Sequence, residues 1–344
     1  MIEKILVFGG KGGVGKSSIS SATAVKISDL LPDKKILLIS FDIAHNLTDL
    51  FGVEVGNELY QIKDNLWVIE PDPHIYAEEY TRDFAEKAKK LIKKMPLVNL
   101  IPKLEEYIDE TFNANSIPVA LKNAIFFQKI LDAEEINDQN LQFDIIVCDF
   151  PPTANMVALF EIPEDQVKGI MKYSLKVFAQ IRGTMRRMTD VASKILNPFG
   201  QEDREERRGL ADDLLYMMNE VEKRGERITE LIKNVGSLRL VTIAEKPSYE
   251  EIKRARELTE KYIKTDGVHV NMLIPEGAAD HCDFCSIKHD KQKKYLKQIE
   301  NDFKNLKIWK SHSLRIEPIG LEGLSSLANE VYGVVNDVNE ILNP

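Results

Sequence analysis

Hydrophobic positions along the chain gather in short unbroken runs rather than in strict alternation. Residues 4–8, 35–40 and 143–148 are rich in Ile, Leu and Val, and each run ends in a turn or an acidic residue. A short apolar run with no polar alternate is what a strand buried on both faces requires, as in a parallel sheet. Residues 238–244, 267–274 and 306–309 continue the series. Between the first two runs, residues 16–31 read as a helix stopped by Pro32, because proline lacks the N–H that the next turn needs. Strands alternating with helices predict an α/β fold built on a doubly wound, mostly parallel sheet.

The second and third runs lie roughly 100 residues apart, far beyond an ordinary crossover. Most of that gap has helical periodicity, over 75–94, 98–110 and 118–131. A second stretch, 161–234, is helical in pattern as well. The expected organisation is a sheet-bearing core of 1–70, 140–160 and 236–344, with an inserted α-helical subdomain of 71–139 and 161–235. Within the latter, 197–209 has Pro198, Gly200 and densely mixed charges, and reads as a mobile loop. Residues 324–342 read as a terminal helix packed on the sheet.

Chemistry enters at the first strand–helix junction. Gly10-Lys11-Gly12-Gly13-Val14-Gly15-Lys16-Ser17 fits G-x-x-x-x-G-K-[ST] in full. It follows an expected strand and opens an expected helix, the context that gives the motif its meaning. The glycines let backbone N–H groups point at phosphate oxygens, and the helix dipole adds to the attraction. Lys16 is the expected phosphate ligand and Ser17 the expected magnesium ligand, with Ser18 beside it. The third run ends at Asp149, which supplies a carboxylate for magnesium. The second run leads to Asp42, on the same sheet edge, where a carboxylate can orient or deprotonate an attacking water. The candidate reaction is therefore magnesium-dependent hydrolysis of a nucleoside triphosphate, as of ATP to ADP.

Composition narrows the setting. The 344 residues carry 46 Lys and Arg against 55 Asp and Glu, a net charge of -9, which argues against nucleic acid as a partner. Three cysteines suggest a reducing compartment. No window approaches a membrane span, and the first residues lack the features of a signal peptide, so a cytoplasmic location is expected. Two cysteines form Cys282-x-x-Cys285. Zinc takes four ligands, commonly thiolates at this spacing. One chain offers two, which a two-fold dimer would double. His281 and His289 are other candidate ligands, and a free or redox-active thiol pair is the alternative. Six of the nine methionines lie between Met156 and Met218. Such a cluster suits either an ordinary core or a surface for varied apolar partners.

Taken together these motifs resemble the arsenical-pump ATPase family, and within it the ATPases that target tail-anchored membrane proteins. The similarity rests on the loop through Ser18, Asp42-x-Ala44-His45-Asn46-Leu47-x-Asp49, Asp149 with Pro152-Thr153, Ile243-Ala244-Glu245, Val270-Asn271-x-Leu273-Ile274-Pro275 and the cysteine pair. It implies a deviant Walker A, SIMIBI-type fold, in which Lys11 reaches across a homodimer to the partner's nucleotide. It also implies Asp42 as the catalytic carboxylate, Glu245 and Asn271 as nucleotide contacts, and zinc shared across the dimer by Cys282 and Cys285. Met171, Met185, Met188, Met217 and Met218 would then line a groove for the hydrophobic helix of a tail-anchored protein, delivered to a membrane receptor. The loop 312–317 would surround the base, although His312 stands where the family often has proline. After Asp149, Phe150-Pro151 and Ala154-Asn155 also depart from the usual pattern. The alternatives are the ATPase of an arsenite pump and a partition- or division-site nucleotide switch.

Overall fold

The computed structural model describes residues 2–42, 46–72, 141–153, 226–280 and 282–344, with isolated residues Ile75, Glu78, Arg82, Glu86, Met156, Val157, Phe160 and Lys223. Contacts divide the chain into two units. One comprises Met1–Asp72, Lys129–Phe160 and Thr229–Pro344; the other comprises Pro73–Gln128 and Glu161–Ile228. Nearly all of the expected inserted helices, the 197–209 loop and the five candidate groove methionines lie outside the described residues.

The first unit is built on an eight-stranded sheet. Its strands are β1 (Lys4–Gly10), β2 (Ile36–Ser40), β3 (Tyr60–Lys63), β4 (Leu66–Ile69), β5 (Ile145–Asp149), β6 (Gly236–Ile243), β7 (Thr265–Leu273) and β8 (Lys307–His312). Their order is β3-β4-β2-β5-β1-β6-β7-β8. All six strands expected from the apolar runs are present and pair in parallel. β2 and β5 are buried at every position, which is why their sequences show no alternation.

The hairpin β3–β4 was not expected. Its strands are four residues each and antiparallel, with a register shift between Gln61 and Lys63. A half-exposed Tyr-Gln-Ile-Lys strand is too short to show a period, and Asp64-Asn65 is a weaker hairpin signal than Asn-Gly.

Helix α1 (Lys16–Leu30) follows the glycine loop, and α2 (Asn46–Phe51) follows β2. Helix α1 buries Ser20, Ser21 and Thr23 along with Ile19, Val25 and Ile27, so it has no polar face to mark it as amphipathic. The hydroxyl of Thr23 lies 2.6 Å from the Ile19 carbonyl oxygen and 2.6 Å from the Tyr332 hydroxyl. Beyond β6 come α3 (Lys246–Thr259), α4 (Glu276–Ala279), α5 (Asp283–Asp302), α6 (Gly320–Tyr332) and α7 (Asn339–Leu342). The single helix expected over 324–342 is thus two helices, since α6 stops at Gly333.

A charged group is fully enclosed at β6. Arg239 on β6 is 0% exposed, binds both Asp266 oxygens and donates to the Ile341 carbonyl oxygen at 2.6 Å. Its guanidinium also lies 4.7 Å from the centre of the Trp309 ring. A buried cation is tolerated only when paired, and here the pairing fastens α7 to the sheet.

Candidate phosphate site at the sheet edge

Parallel strands end on a common edge, and a ligand site forms where the strand order reverses. In this protein that point is the β2-β5-β1-β6 stretch. Register pairs Ser40 with Asp149 and Phe8 with Asp149, so the ends of β2 and β5 flank the start of the glycine loop.

The loop is fitted to its neighbours at two glycines. A Cβ on Gly10 would overlap the Val241 carbonyl oxygen of the adjacent strand. Gly15 has φ 84°, a left-handed conformation that suits glycine, and caps α1. A Cβ there would overlap Asn271 Nδ2. Lys11, Gly12 and Gly13 are exposed, whereas Val14 and Lys16 are buried. Lys16 Nζ donates to the Lys11 carbonyl oxygen at 3.3 Å, across the loop. Burial lowers its pKa, while Asp149 and Asp42 act in the opposite sense.

Asp149 is fully buried, and burial pushes its pKa up to about 7 against the pull of Ser17, Lys16 and Ser40. Ser40 donates to Asp149 Oδ2 at 3.4 Å, and its hydroxyl accepts from the Asp42 amide at 3.3 Å. One oxygen of Asp149, Oδ1, has no hydrogen-bond partner. A buried orphan carboxylate oxygen beside a serine and a lysine fits a divalent cation held directly or through water. Asp42 is half-buried and close enough to affect both Lys16 and Asp149 electrostatically. Lys11, Lys16, Ser17, Asp42 and Asp149 therefore share one sheet edge.

Some supporting residues had no local signature. Ser40 bridges the two aspartates, but a serine ending an apolar run is unremarked in sequence. Glu70, at the end of β4, accepts from the Leu47 amide at 3.1 Å and so holds the first turn of α2. Phe150 is fully buried between Phe41 (ring centroids 5.1 Å) and Phe160 (5.4 Å). The residues flanking Asp42 and Asp149 are thereby packed together by aromatic contact. Met156 is also fully buried, so this member of the methionine cluster belongs to the core.

The remaining candidates are placed as follows. Asn271 is buried, donating to the Val14 carbonyl oxygen at 3.1 Å and accepting from Ser311 at 2.8 Å. An amide has two hydrogens, so one donor remains. Glu245 caps α3 at the end of β6. His312 ends β8, with Nδ1 2.7 Å from Glu330 Oε1. Cys282 is the N-cap of α5, its sulfur accepting from the Cys285 amide at 3.4 Å. The pair therefore stands at a helix start, though not directly after a strand. Both thiols are free and neither is buried, in contrast to Cys148 inside β5. Hydrogen bonds from the Cys285 and Phe284 amides lower the Cys282 pKa. Among the described residues no group of three or more His, Cys, Asp or Glu is placed to hold a metal, and none of the described helices is long and apolar enough to cross a membrane. His281 lies outside the described residues.

Residues 3–333 match the sequence model of a family described as anion-transporting ATPase. A relative named arsenical pump-driving ATPase from Chlorobaculum tepidum is 28% identical over 345 residues, covering 96% of this chain and 75% of the relative. Another so named, from Aquifex aeolicus, is 26% identical over 329 residues, covering 94% and 98%. The ATPase GET3 of Debaryomyces hansenii is 28% identical over 338 residues, covering 94% and 88%.

Proposed function

This chain belongs to the anion-transporting ATPase family, and from that premise we propose that it is a homodimeric targeting factor for tail-anchored membrane proteins. As a member of the family it hydrolyses ATP. In the proposed scheme Lys16 and the loop amides hold the phosphates, and Glu245 and Asn271 contact the nucleoside. Ser17 and Asp149 hold magnesium, which would neutralise phosphate charge. Asp42 orients the attacking water, aided by the Ser40 bridge to Asp149. Lys11, exposed on the loop, is free to meet a partner's nucleotide. Nucleotide state would close and open the dimer, so that a hydrophobic helix bound among Met171, Met185, Met188, Met217 and Met218 is captured and released.

The observation that carries the choice over an arsenite-pump ATPase is the disposition of the three cysteines. Cys148 is enclosed within β5, where burial pushes its thiol pKa up. Only Cys282 and Cys285 are accessible, two thiols per chain. Two pairs meeting across a two-fold axis make the four-thiolate set that zinc prefers. A thiolate-rich metalloid centre within one chain has less support.

The test is co-expression with a tail-anchored protein, followed by pull-down. Capture that depends on the apolar segment and is lost in the Met185→Asp, Met188→Asp double variant is expected. Arsenite stimulation of ATP hydrolysis without capture would favour the pump. One zinc per dimer, lost in Cys282→Ser, is the expected metal content.

A further inference from the structure

Met272 is the single non-glycine residue with positive φ, 56°, among the described residues. It lies on β7 beside Asn271, at the edge that carries the glycine loop. Successive residues of a regular strand point to opposite faces. Here both side chains converge on the loop: a Cβ on Gly15 would overlap Asn271 Nδ2 and lie 3.4 Å from Met272 Cε. The left-handed backbone accompanies a register shift between β7 and β8 at Val270 to Leu273.

The distortion is held in place. Gln292 on α5 is buried, donates to the Met272 carbonyl oxygen at 3.0 Å and accepts from the Ile274 amide at 2.8 Å. Glycine would adopt this conformation without strain. Instead the position carries a long thioether, 41% exposed, at the mouth of the phosphate loop. Strained non-glycine backbone of this sort collects at ligand sites. Asn271 spends its oxygen on Ser311 and one hydrogen on Val14, so it keeps one hydrogen for a base edge and offers no apolar surface to a base face.

We propose that Met272 is a nucleoside-contacting residue, its thioether forming an apolar shelf for the aromatic base of the bound nucleotide. The proposal rests on the reading of the loop as the nucleotide site. Thioether–aromatic contact of this kind changes affinity by about two- to tenfold.

Calorimetric titration with ATP and with base-free tripolyphosphate separates the base from the phosphates. Met272→Gly removes the shelf and suits the backbone, so ATP affinity is expected to fall by about two- to tenfold. Tripolyphosphate affinity and melting temperature should not fall. Met272→Leu, which keeps an apolar shelf, should retain most of the ATP affinity. Unchanged ATP affinity in Met272→Gly, or equal loss of both ligands, would overturn the assignment. Lys16→Ala is the control: it should weaken both ligands. If it weakens neither, the loop is not the phosphate site and the assignment falls with it.

Discussion

The contact between Gly9 and Met156 gives a quantitative test of how the phosphate-loop strand is packed. A Cβ on Gly9 would overlap Met156 Sδ, lie 3.1 Å from its Cε and 3.3 Å from Leu238 Cδ1. Met156 is fully buried, and its amide donates to the Pro152 carbonyl oxygen at 3.1 Å, in the segment that follows Asp149. Overpacking such a site costs about 1–3 kcal/mol, the expectation for Gly9→Ala. Truncating a buried methionine costs about 2–5 kcal/mol, the expectation for Met156→Ala. In the double variant the new methyl enters space that the sulfur has left, so the two losses should not add. The double should be more stable than the sum by about 1–3 kcal/mol. Urea unfolding followed by tryptophan fluorescence reads the relevant unit, because both tryptophans, Trp67 on β4 and Trp309 on β8, lie in the sheet. ATP hydrolysis should fall in Gly9→Ala, through pressure on the segment after Asp149, and recover in part in the double. Additive stability losses, within about 0.5 kcal/mol, would refute the packing argument.

Two further outcomes follow from buried charge. Asp266→Ala leaves Arg239 enclosed without its carboxylate and should destabilise the sheet unit by about 3–5 kcal/mol; Asp29→Ala, which breaks the more exposed pair with Lys63, should change stability by less than about 1 kcal/mol in the same urea assay. Asp149, with its pKa raised to about 7 by burial, keeps in the folded state a proton that the unfolded chain releases near pH 4. Between those values the folded state is the more protonated, so its contribution to stability falls as pH rises through the window and levels off above about 7. The full effect is on the order of 4 kcal/mol. Metal- and nucleotide-free wild type should lose stability relative to Asp149→Asn from pH 4 to 7; parallel curves would refute the assignment.

The parts of the fold that could be read along the chain are those where one strand's burial writes itself into consecutive residues. β1, β2 and β5 are apolar at nearly every position because successive residues, which point to opposite faces, are all buried. The β3–β4 hairpin escaped because β3 is half-exposed and four residues long, too short for either period to register. The terminal helix was overextended because Val334, Val335 and Val338 continue an apolar spacing past Gly333. Val335 and Val338 do pack against the core, but Val334 is 89% exposed and Gly333 breaks the helix between them and α6, so the apolar spacing there marks burial without a continuous helix.

The candidate site divides along the same physical line. Lys16, Ser17, Asp42 and Asp149 announce themselves because each follows a strand or loop whose type is locally encoded. What holds them is encoded at a distance. Asn271 reaches Val14 across 257 positions, and Ser311 reaches Asn271 across 40. Gln292 clasps the Met272 distortion from a helix that no β7 pattern foretells. These remote contacts have a common direction. They tie β7, β8 and α5 to the glycine loop, on the side away from Asp42, while Ser40, Phe41 and Phe150 tie the two aspartates together on the other. The loop thus sits between a wing that packs near the cysteine-capped helix α5 and a wing that leads, through Phe160, to the second unit at Glu161. A change in what the loop holds is therefore presented to two separate sets of contacts. Under the proposed function, that arrangement gives a bound nucleotide two sets of groups through which to bias a conformation, since a ligand acts only through groups that feel the difference.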